Sequence, residues 1–386
     1  MKKLKPGLFV KVLIAIAAGA LLGMVAPEVL VRIFKTFNTL FAQLLKFIVP
    51  LLVLGLVTPA IANVGRGAGK MLLAVLAIAY LSTICSGFFA HLCGSNLMPH
   101  YLQAGELSAE TMSAKEFLPY FDLKIPPLCD IMTALVLSFM LGVGMIFIGS
   151  GALKKGFDEF GEIIKLTIEK AIIPLLPWYI FTMMCEMSAK GVISVVLGSG
   201  AKIILTGVVL TLIWLVIQYC IAGAIAGKNP FKCLWNMIPA YLTAFSICSS
   251  SAAIPVTASC AKKNGLGDDI VDFTIPLCST VHMCGSTIKL AVSAIAVAYI
   301  FGVPVPFAVY VNFVLMQGIA AVAAPGVMGG VLMASVGLLE SIMGFTPDQT
   351  ALVMTLYLVL DGYGPGCNVT GDGAIAIIID KLFKKK

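Results

Sequence analysis

Charge is what this chain lacks most. Only 12% of its 386 residues are Asp, Glu, Lys or Arg, against about 25% in a typical soluble domain. Arginine is nearly absent: Arg32 and Arg66 are the two in the chain, both near ends of early apolar stretches. There are three histidines and no CxxC pair, which excludes a zinc ribbon or a thioredoxin-like redox motif. The 11 cysteines (Cys85, Cys93, Cys129, Cys185, Cys220, Cys233, Cys248, Cys260, Cys278, Cys284 and Cys367) are scattered, mostly within apolar segments, and read as small core residues. So little charge excludes a soluble globular domain. With the lysines held in short connections, the net charge of +7 is an orientation signal in a membrane and not a nucleic-acid signal.

Apolar sequence is what the chain has in excess, at 60% of residues. Runs of about 20 apolar residues, the length that crosses a bilayer as a helix, recur throughout. The segment "MKKLKPGLFVKVLIAIAAGALLGMVAP" resembles a signal peptide, but its apolar run is too long for one and more spans follow directly, so it reads as span 1. Full spans are expected at 7–27, 36–62, 71–96, 128–149, 165–188, 199–226, 267–300 and 347–381. Two further stretches, 231–262 and 306–342, break in the middle.

Lysine and arginine test this topology. Lys2, Lys3 and Lys5, then Arg66 and Lys70, then Lys154 and Lys155, Lys228, Lys232, Lys262, Lys263, and finally Lys381 and Lys384 to Lys386 all fall on the cytoplasmic side if each broken stretch returns to the side it entered from. The acidic 97–127 connection, with Glu106, Glu110, Glu116 and Asp122, then lies outside. Both termini are expected in the cytoplasm of a multi-pass cell-membrane protein.

The breaks carry polar residues and helix breakers. "SICSSSAAIPVT" (246–257) interrupts the first broken stretch, and "AVAAPGVMGGV" (321–331) interrupts the second with Pro325, Gly326, Gly329 and Gly330. Each is followed by a span that is itself interrupted, at "HMCGS" (282–286) and "DGYGPGCNVTGD" (361–372). Irregular backbone at membrane depth is tolerated only where protein buries it or it lines a wet cavity. A hairpin plus a broken span, twice over, is the pattern of an inverted-repeat secondary transporter. The plainer reading is that the glycines let helices pack closely.

Asp361, Asn368 and Asp372 are spaced by seven and four residues, which at about 100° per residue sets them on one helix face. An aspartate at bilayer centre costs ~2.5–3.5 kcal/mol on insertion scales, so the pair demands cations: metal ions, a substrate ammonium or a lysine. An internally paired structural cluster is the bland alternative. A membrane-embedded enzyme using Ser249 to Ser251 or a cysteine lacks a base placed by sequence. An anion channel is the remaining class, and turnover against a gradient separates it from a carrier.

These residues carry a resemblance. "FAQLLKFIVPLLVLGLVTPAI", "AFSICSSSAAIPVT", "FTIPLCSTVHMCGSTI", "AAPGVMGGV" and "NVTGD" together resemble the dicarboxylate/amino acid:cation symporter family, the glutamate transporter homologues. The resemblance implies an all-α polytopic fold of about eight transmembrane helices and two re-entrant hairpins, with an elevator-like transport core and a homotrimeric assembly. It implies residues 1–195 as mainly scaffold, with the 71–96 span joining the transport core, and 196–386 as that core. It also implies sodium ions as the transported cofactor, with no organic cofactor.

Residue by residue, the resemblance assigns Asp361 to the substrate amino group and Asn368 to its carboxylate. Ser250 and the backbone of Cys248 fall at the hairpin 1 tip over that carboxylate, Ser286 contacts substrate, and Ala324 and Met328 belong to hairpin 2 over the substrate. Asp372 with the Asn368 carbonyl forms one sodium site. Cys278, Thr280, Gly318, Ile319 and Ala321 supply a second, largely main-chain site. His282 replaces an asparagine that serves sodium, and Cys284 replaces the aspartate of a third site, leaving Tyr80 and Thr83 without their carboxylate. Gly364 stands where the family has a substrate-clamping arginine, and Pro365 where it has a threonine.

The missing arginine can be weighed without the family. No arginine follows Arg66, so nothing in the second half offers a guanidinium fork to a distal carboxylate. A retained Asp361 and a missing clamp favour a small neutral amino acid, with one or two sodium ions. Lys289, seven residues after His282, leaves three readings open: a fixed cation replacing a lost sodium, a reader of an acidic amino acid or C4-dicarboxylate, or a side chain that snorkels to an interface or pairs at a domain boundary. His282 is either a protonatable gate or a satisfied polar residue.

Overall fold

A computed structural model describes residues 8–64, 70–107, 117–149, 151–322, 324, 329–359 and 361–383. Met328, Pro325, Gly326, Arg66, Glu110, Glu116, the lysines before position 8 and those after 383 lie outside the described residues. The described chain is helical, with no strand among those residues.

The first helices are α1 (Leu8–Gly23), α2 (Glu28–Val64), α3 (Lys70–Leu97), α4 (Ile131–Ile148), α5 (Gly151–Thr167), α6 (Ile173–Ala189) and α7 (Ile193–Ala226). The first broken stretch follows as α8 (Pro230–Asn236), α9 (Ile238–Ile247) and α10 (Ile254–Lys262). The interrupted seventh span is α11 (Asp268–Val281) and α12 (Cys284–Phe301). The second broken stretch is α13 (Phe307–Val322) and α14 (Gly330–Ser341), and the interrupted last span is α15 (Pro347–Leu358) and α16 (Tyr363–Phe383).

Local chemistry sets these boundaries. Asp130 accepts the Thr133 N–H at the start of α4, and Gly149 closes it in the left-handed conformation, the usual N-cap and C-cap pair. Thr346 and Gln349 form a reciprocal capping box at α15. Asp380, near the end of α16, accepts the Gly267 N–H at 2.9 Å and so holds the start of α11.

The fifth span differs from expectation. Residues 151–164, with Lys154, Lys155, Asp158, Glu159 and Glu162, read as a charged connection. They form the amphipathic helix α5, which runs through a π-helical turn at Ile168–Ile172 into α6. Pro174 lies two residues beyond the turn, and its ring nitrogen cannot donate back along the helix. One face of α5 packs on α2: a Cβ at Gly161 would lie 2.4 Å from the Gly55 carbonyl oxygen.

Helix pairs are brought together by glycine. In α1, a Cβ at Gly19 or Gly23 would meet the Phe181 or Cys185 carbonyl of α6 at 2.3 Å, a small-xxx-small contact. α2 packs on α4, α5 and α6, so α1, α2, α4, α5 and α6 form one packed group. In the other, α16 packs against α7, α9, α11 and α12, and α3 lies against α12, α13 and α11. Four charged residues join the groups. Lys35 of α2 meets Glu186 of α6 at 2.9 Å and Asp348 of α15 at 3.1 Å, and Lys190 meets Glu186 at 2.8 Å.

Candidate functional site

Four interruptions converge near the middle of the second group. At the first hairpin tip, Cys248 ends α9 in the left-handed conformation, φ 51°, an unusual backbone for a residue with a side chain. At the second, Gly329 opens α14 with φ 73°. Between α11 and α12, His282 is extended. Between α15 and α16, Asp361 and Gly362 form a turn before the helix starts at Tyr363.

That last boundary corrects the single-face reading. Asp361 is not on the helix that carries Asn368 and Asp372, because α16 begins two residues after it. The three side chains nevertheless turn toward α12 and the residue that precedes its N-terminus.

The glycines of this stretch make room for neighbours. A Cβ at Gly362 would lie 2.1 Å from the Phe245 carbonyl oxygen of α9. A Cβ at Gly371 would lie 2.7 Å from the His282 ring, and one at Gly285 would lie 2.4 Å from the Cys367 Cβ.

Each polar residue has a built-in partner. Asn368 Oδ1 accepts the N–H groups of Gly285 at 2.8 Å and Ser286 at 3.3 Å. It thereby satisfies the free N-terminus of α12 from another helix. Its amide donates to Ser286 Oγ at 3.0 Å. His282 Nδ1 lies 2.9 Å from Asp372 Oδ1. A carboxylate only accepts, so Nδ1 carries the hydrogen. The Gln218 amide donates to Ser82 Oγ at 2.7 Å, and Ser82 Oγ lies 3.0 Å from His282 Nε2. His282 is thus bonded through both ring nitrogens.

Lys289 is fully buried and pairs with Asp361. Its ammonium also donates to the Asp361 carbonyl at 3.2 Å and sits 3.6 Å above the Tyr357 ring. This corrects the readings for Lys289: it pairs and does not snorkel, and it does not reach into the space left by the Cys284 replacement. That space is filled otherwise. Cys284 Sγ lies 3.9 Å from both Cys367 Sγ and Gln218 Oε1, and Thr83 Oγ1 accepts the Met283 N–H at 3.2 Å.

A small cavity of about 30 Å³ is lined by Cys248, Ser249, Ser250, Ser279, Met283, Ser286, Gly329, Gly330, Val331, Tyr357, Asp361, Pro365 and Asn368. That is well below the ~300–1,000 Å³ of open ligand sites, so the site is nearly closed in this structure. Asp361 Oδ2 is buried and has no hydrogen-bond partner among the described residues. Of the expected substrate residues, Cys248, Ser250, Ser286, Asp361, Pro365 and Asn368 line this cavity, and Gly364 and Ala324 do not.

Of the expected sodium residues, Thr280 is exposed and donates to Leu277 on its own helix. Gly318 sits against Tyr80 and Ile84 of α3, while Cys278 and Ala321 are buried away from the cavity lining. Ile319 does not line it either. Asp372 Oδ2 lacks a partner among the described residues, a hard oxygen of the kind a small cation takes.

Sequence reasoning missed Tyr357, Ser82, Ser279 and Gln218. Gln218 had a readable signal, an amide within the 34-residue apolar helix α7; the two serines had none.

Paired hairpins, interrupted spans and a buried polar cavity between them define a membrane carrier of the alternating-access kind. A model of the sodium:dicarboxylate symporter family matches residues 8–382, and the chain belongs to that family. Among curated relatives, a serine/threonine transporter of Streptococcus thermophilus (strain CNRZ 1066) is 25% identical over 391 residues, covering 99% of this chain and 96% of the relative. One of Streptococcus suis (strain 05ZYH33) is 27% identical over 340 residues, covering 85% and 93%. The protein is therefore a multi-pass membrane symporter and not an enzyme, and sodium is its coupling ion.

Proposed function

We propose that this symporter carries a small neutral amino acid, of serine, threonine or alanine size, across the cell membrane with one or two sodium ions. The observation that carries the reading is Asp361 Oδ2, a buried oxygen without a partner among the described residues, on the wall of a small cavity lined by no arginine. An ammonium satisfies that oxygen by a charge-assisted hydrogen bond. Ser250, Ser286 and the amide of Asn368 offer donors to the α-carboxylate. The serine/threonine transporters named above agree with this substrate size.

Asp372, with the Asn368 carbonyl, is the proposed main sodium site. Cys278, Thr280, His282 and the carbonyls of Gly318, Ile319 and Ala321 are a proposed second set. Ala324, Met328, Gly364 and Pro365 complete the proposed substrate surroundings. Residues 1–195, apart from the 71–96 span, act as scaffold in a homotrimer, and 196–386 as the moving core, with both termini cytoplasmic. The word dicarboxylate in the family description supports a second reading, in which Lys289 receives an acidic substrate. Its pairing with Asp361 disfavours that reading, because the ammonium is already engaged.

The test is uptake into proteoliposomes of serine, threonine, alanine, glutamate, aspartate and succinate under imposed sodium, proton or potassium gradients. Serine, threonine or alanine uptake driven by sodium is expected. Succinate as the best substrate, or uptake driven by protons alone, overturns the reading.

A further inference from the structure

The pairing of Lys289 with Asp361 has the geometry of a shared carboxylate. Lys289 holds Oδ1 and the main-chain carbonyl of the same residue from behind the cavity wall. Oδ2 has no partner among the described residues, and Asp361 lines the cavity while Lys289 does not. Position 364 borders the same lysine: a Cβ at Gly364 would make ordinary contact with it, 3.5 Å from the ammonium. The Tyr357 ring covers the same ammonium at 3.6 Å, a cation–π contact.

Charge balance follows from this arrangement. The lysine and aspartate together are neutral, so the empty wall of the cavity carries no net charge. In a site shielded from water, each unit of uncompensated ligand charge acts at low dielectric and is costly.

We propose that Lys289 sets the net charge of the ligand: it makes the cavity accept a zwitterion and reject a plain amine, a plain carboxylate or an acidic amino acid. The zwitterion's ammonium takes Asp361 Oδ2, and its own carboxylate offsets the Lys289 charge that would otherwise be left over. An amine fills Oδ2 but leaves the site one positive charge in excess. A carboxylate lacking the amine leaves Oδ2 unfilled and adds a negative charge. Lys289 is a specificity-determining residue that acts through Asp361 without touching the ligand.

This inference rests on the amino acid reading above, and a single panel separates the two. Binding to the purified full-length carrier is measured by calorimetry at fixed sodium for L-serine, ethanolamine (serine without its carboxylate) and L-glycerate (serine with hydroxyl for amine). The wild type is expected to bind serine and neither of the others. Lys289→Met leaves Asp361 uncompensated, so ethanolamine gains at least about tenfold relative to serine. Asp361→Asn leaves Lys289 uncompensated, so glycerate gains instead. Lys289→Arg keeps the charge and is expected to keep the wild-type order.

Wild-type carrier that binds ethanolamine or glycerate as well as serine overturns the proposal, even if no variant folds. So does Lys289→Met with an unchanged serine-to-ethanolamine ratio. Wild type that binds no zwitterion in the panel overturns the amino acid reading and this inference with it.

Discussion

His282 Nδ1 and Asp372 Oδ1 face each other at 2.9 Å, both fully buried. The imidazole holds one of the two carboxylate oxygens on which the main sodium site is proposed to rest. In this chain the ion therefore competes with, or leans on, a built-in hydrogen-bond donor.

Replacing His282 with asparagine withdraws the ring donor from Asp372 Oδ1 and puts a shorter side-chain amide in its place. The half-saturating sodium concentration for amino acid uptake is expected to fall about tenfold. Asp372→Asn is expected to abolish sodium dependence. Sodium titrations of labelled serine uptake check both, and an unaltered titration in Asp372→Asn places the ion elsewhere.

An arginine at position 364 does not simply restore the family's acidic specificity. Its stem would start 3.5 Å from the Lys289 ammonium and 3.3 Å from Ser286 Oγ, which sets two cations side by side. Gly364→Arg alone is expected to lose uptake of every substrate. Gly364→Arg with Lys289→Met is expected to gain aspartate or glutamate uptake, and a competition panel reads the difference.

Gly362→Ala brings a methyl group against the Phe245 carbonyl of α9, with a Cβ–O approach of 2.1 Å. Overpacking of this kind costs ~1–3 kcal/mol or more. A lowered melting temperature in detergent is expected, together with reduced uptake. Gly144→Ala, where nothing lies within 4 Å of the added carbon, is the matched control and should leave both unchanged.

Cys284→Ser is expected to leave sodium coupling unaltered. The thiol lies among Gln218, Cys367 and the His282 region, and a hydroxyl there keeps a donor for Gln218 Oε1. Reversal potentials of coupled uptake across a series of sodium gradients measure the stoichiometry. A change of one ion in this variant would make position 284 an ion ligand after all.

The architecture was legible because bilayer physics is strict. Apolar length, lysine placement and four polar breaks lead to spans and hairpins with few alternatives. Where the sequence reading erred, the cause was local. Residues 151–164 carry too many charges to pass as a span, yet their amphipathic face packs on α2 as helix α5. Asp361 was set on a helix face by periodicity, but the chain turns at Gly362, and no periodic argument survives a break. The partners of the buried charges were the least legible. Lys289 lies 72 residues from Asp361, and His282 lies 90 from Asp372. Such pairings depend on how α12 lies against α16, which spacing within either helix does not encode.

The charged node of Lys35, Glu186, Lys190 and Asp348 bears on how firmly α15 is held. Asp348 begins α15, the half-span that leads into the substrate break, while its cations stand on α2 and at the end of α6. Any sliding of α15 along α6 has to open the Lys35–Asp348 contact, and opening it leaves Lys35 and Lys190 sharing Glu186 alone. The node therefore ties the start of α15 to α2 and to the end of α6. Because Asp348 is about one-third exposed (32%), salt reaches the node and weakens it. Ionic strength thus acts on how firmly this end of the molecule is tied, separately from the sodium gradient that drives transport.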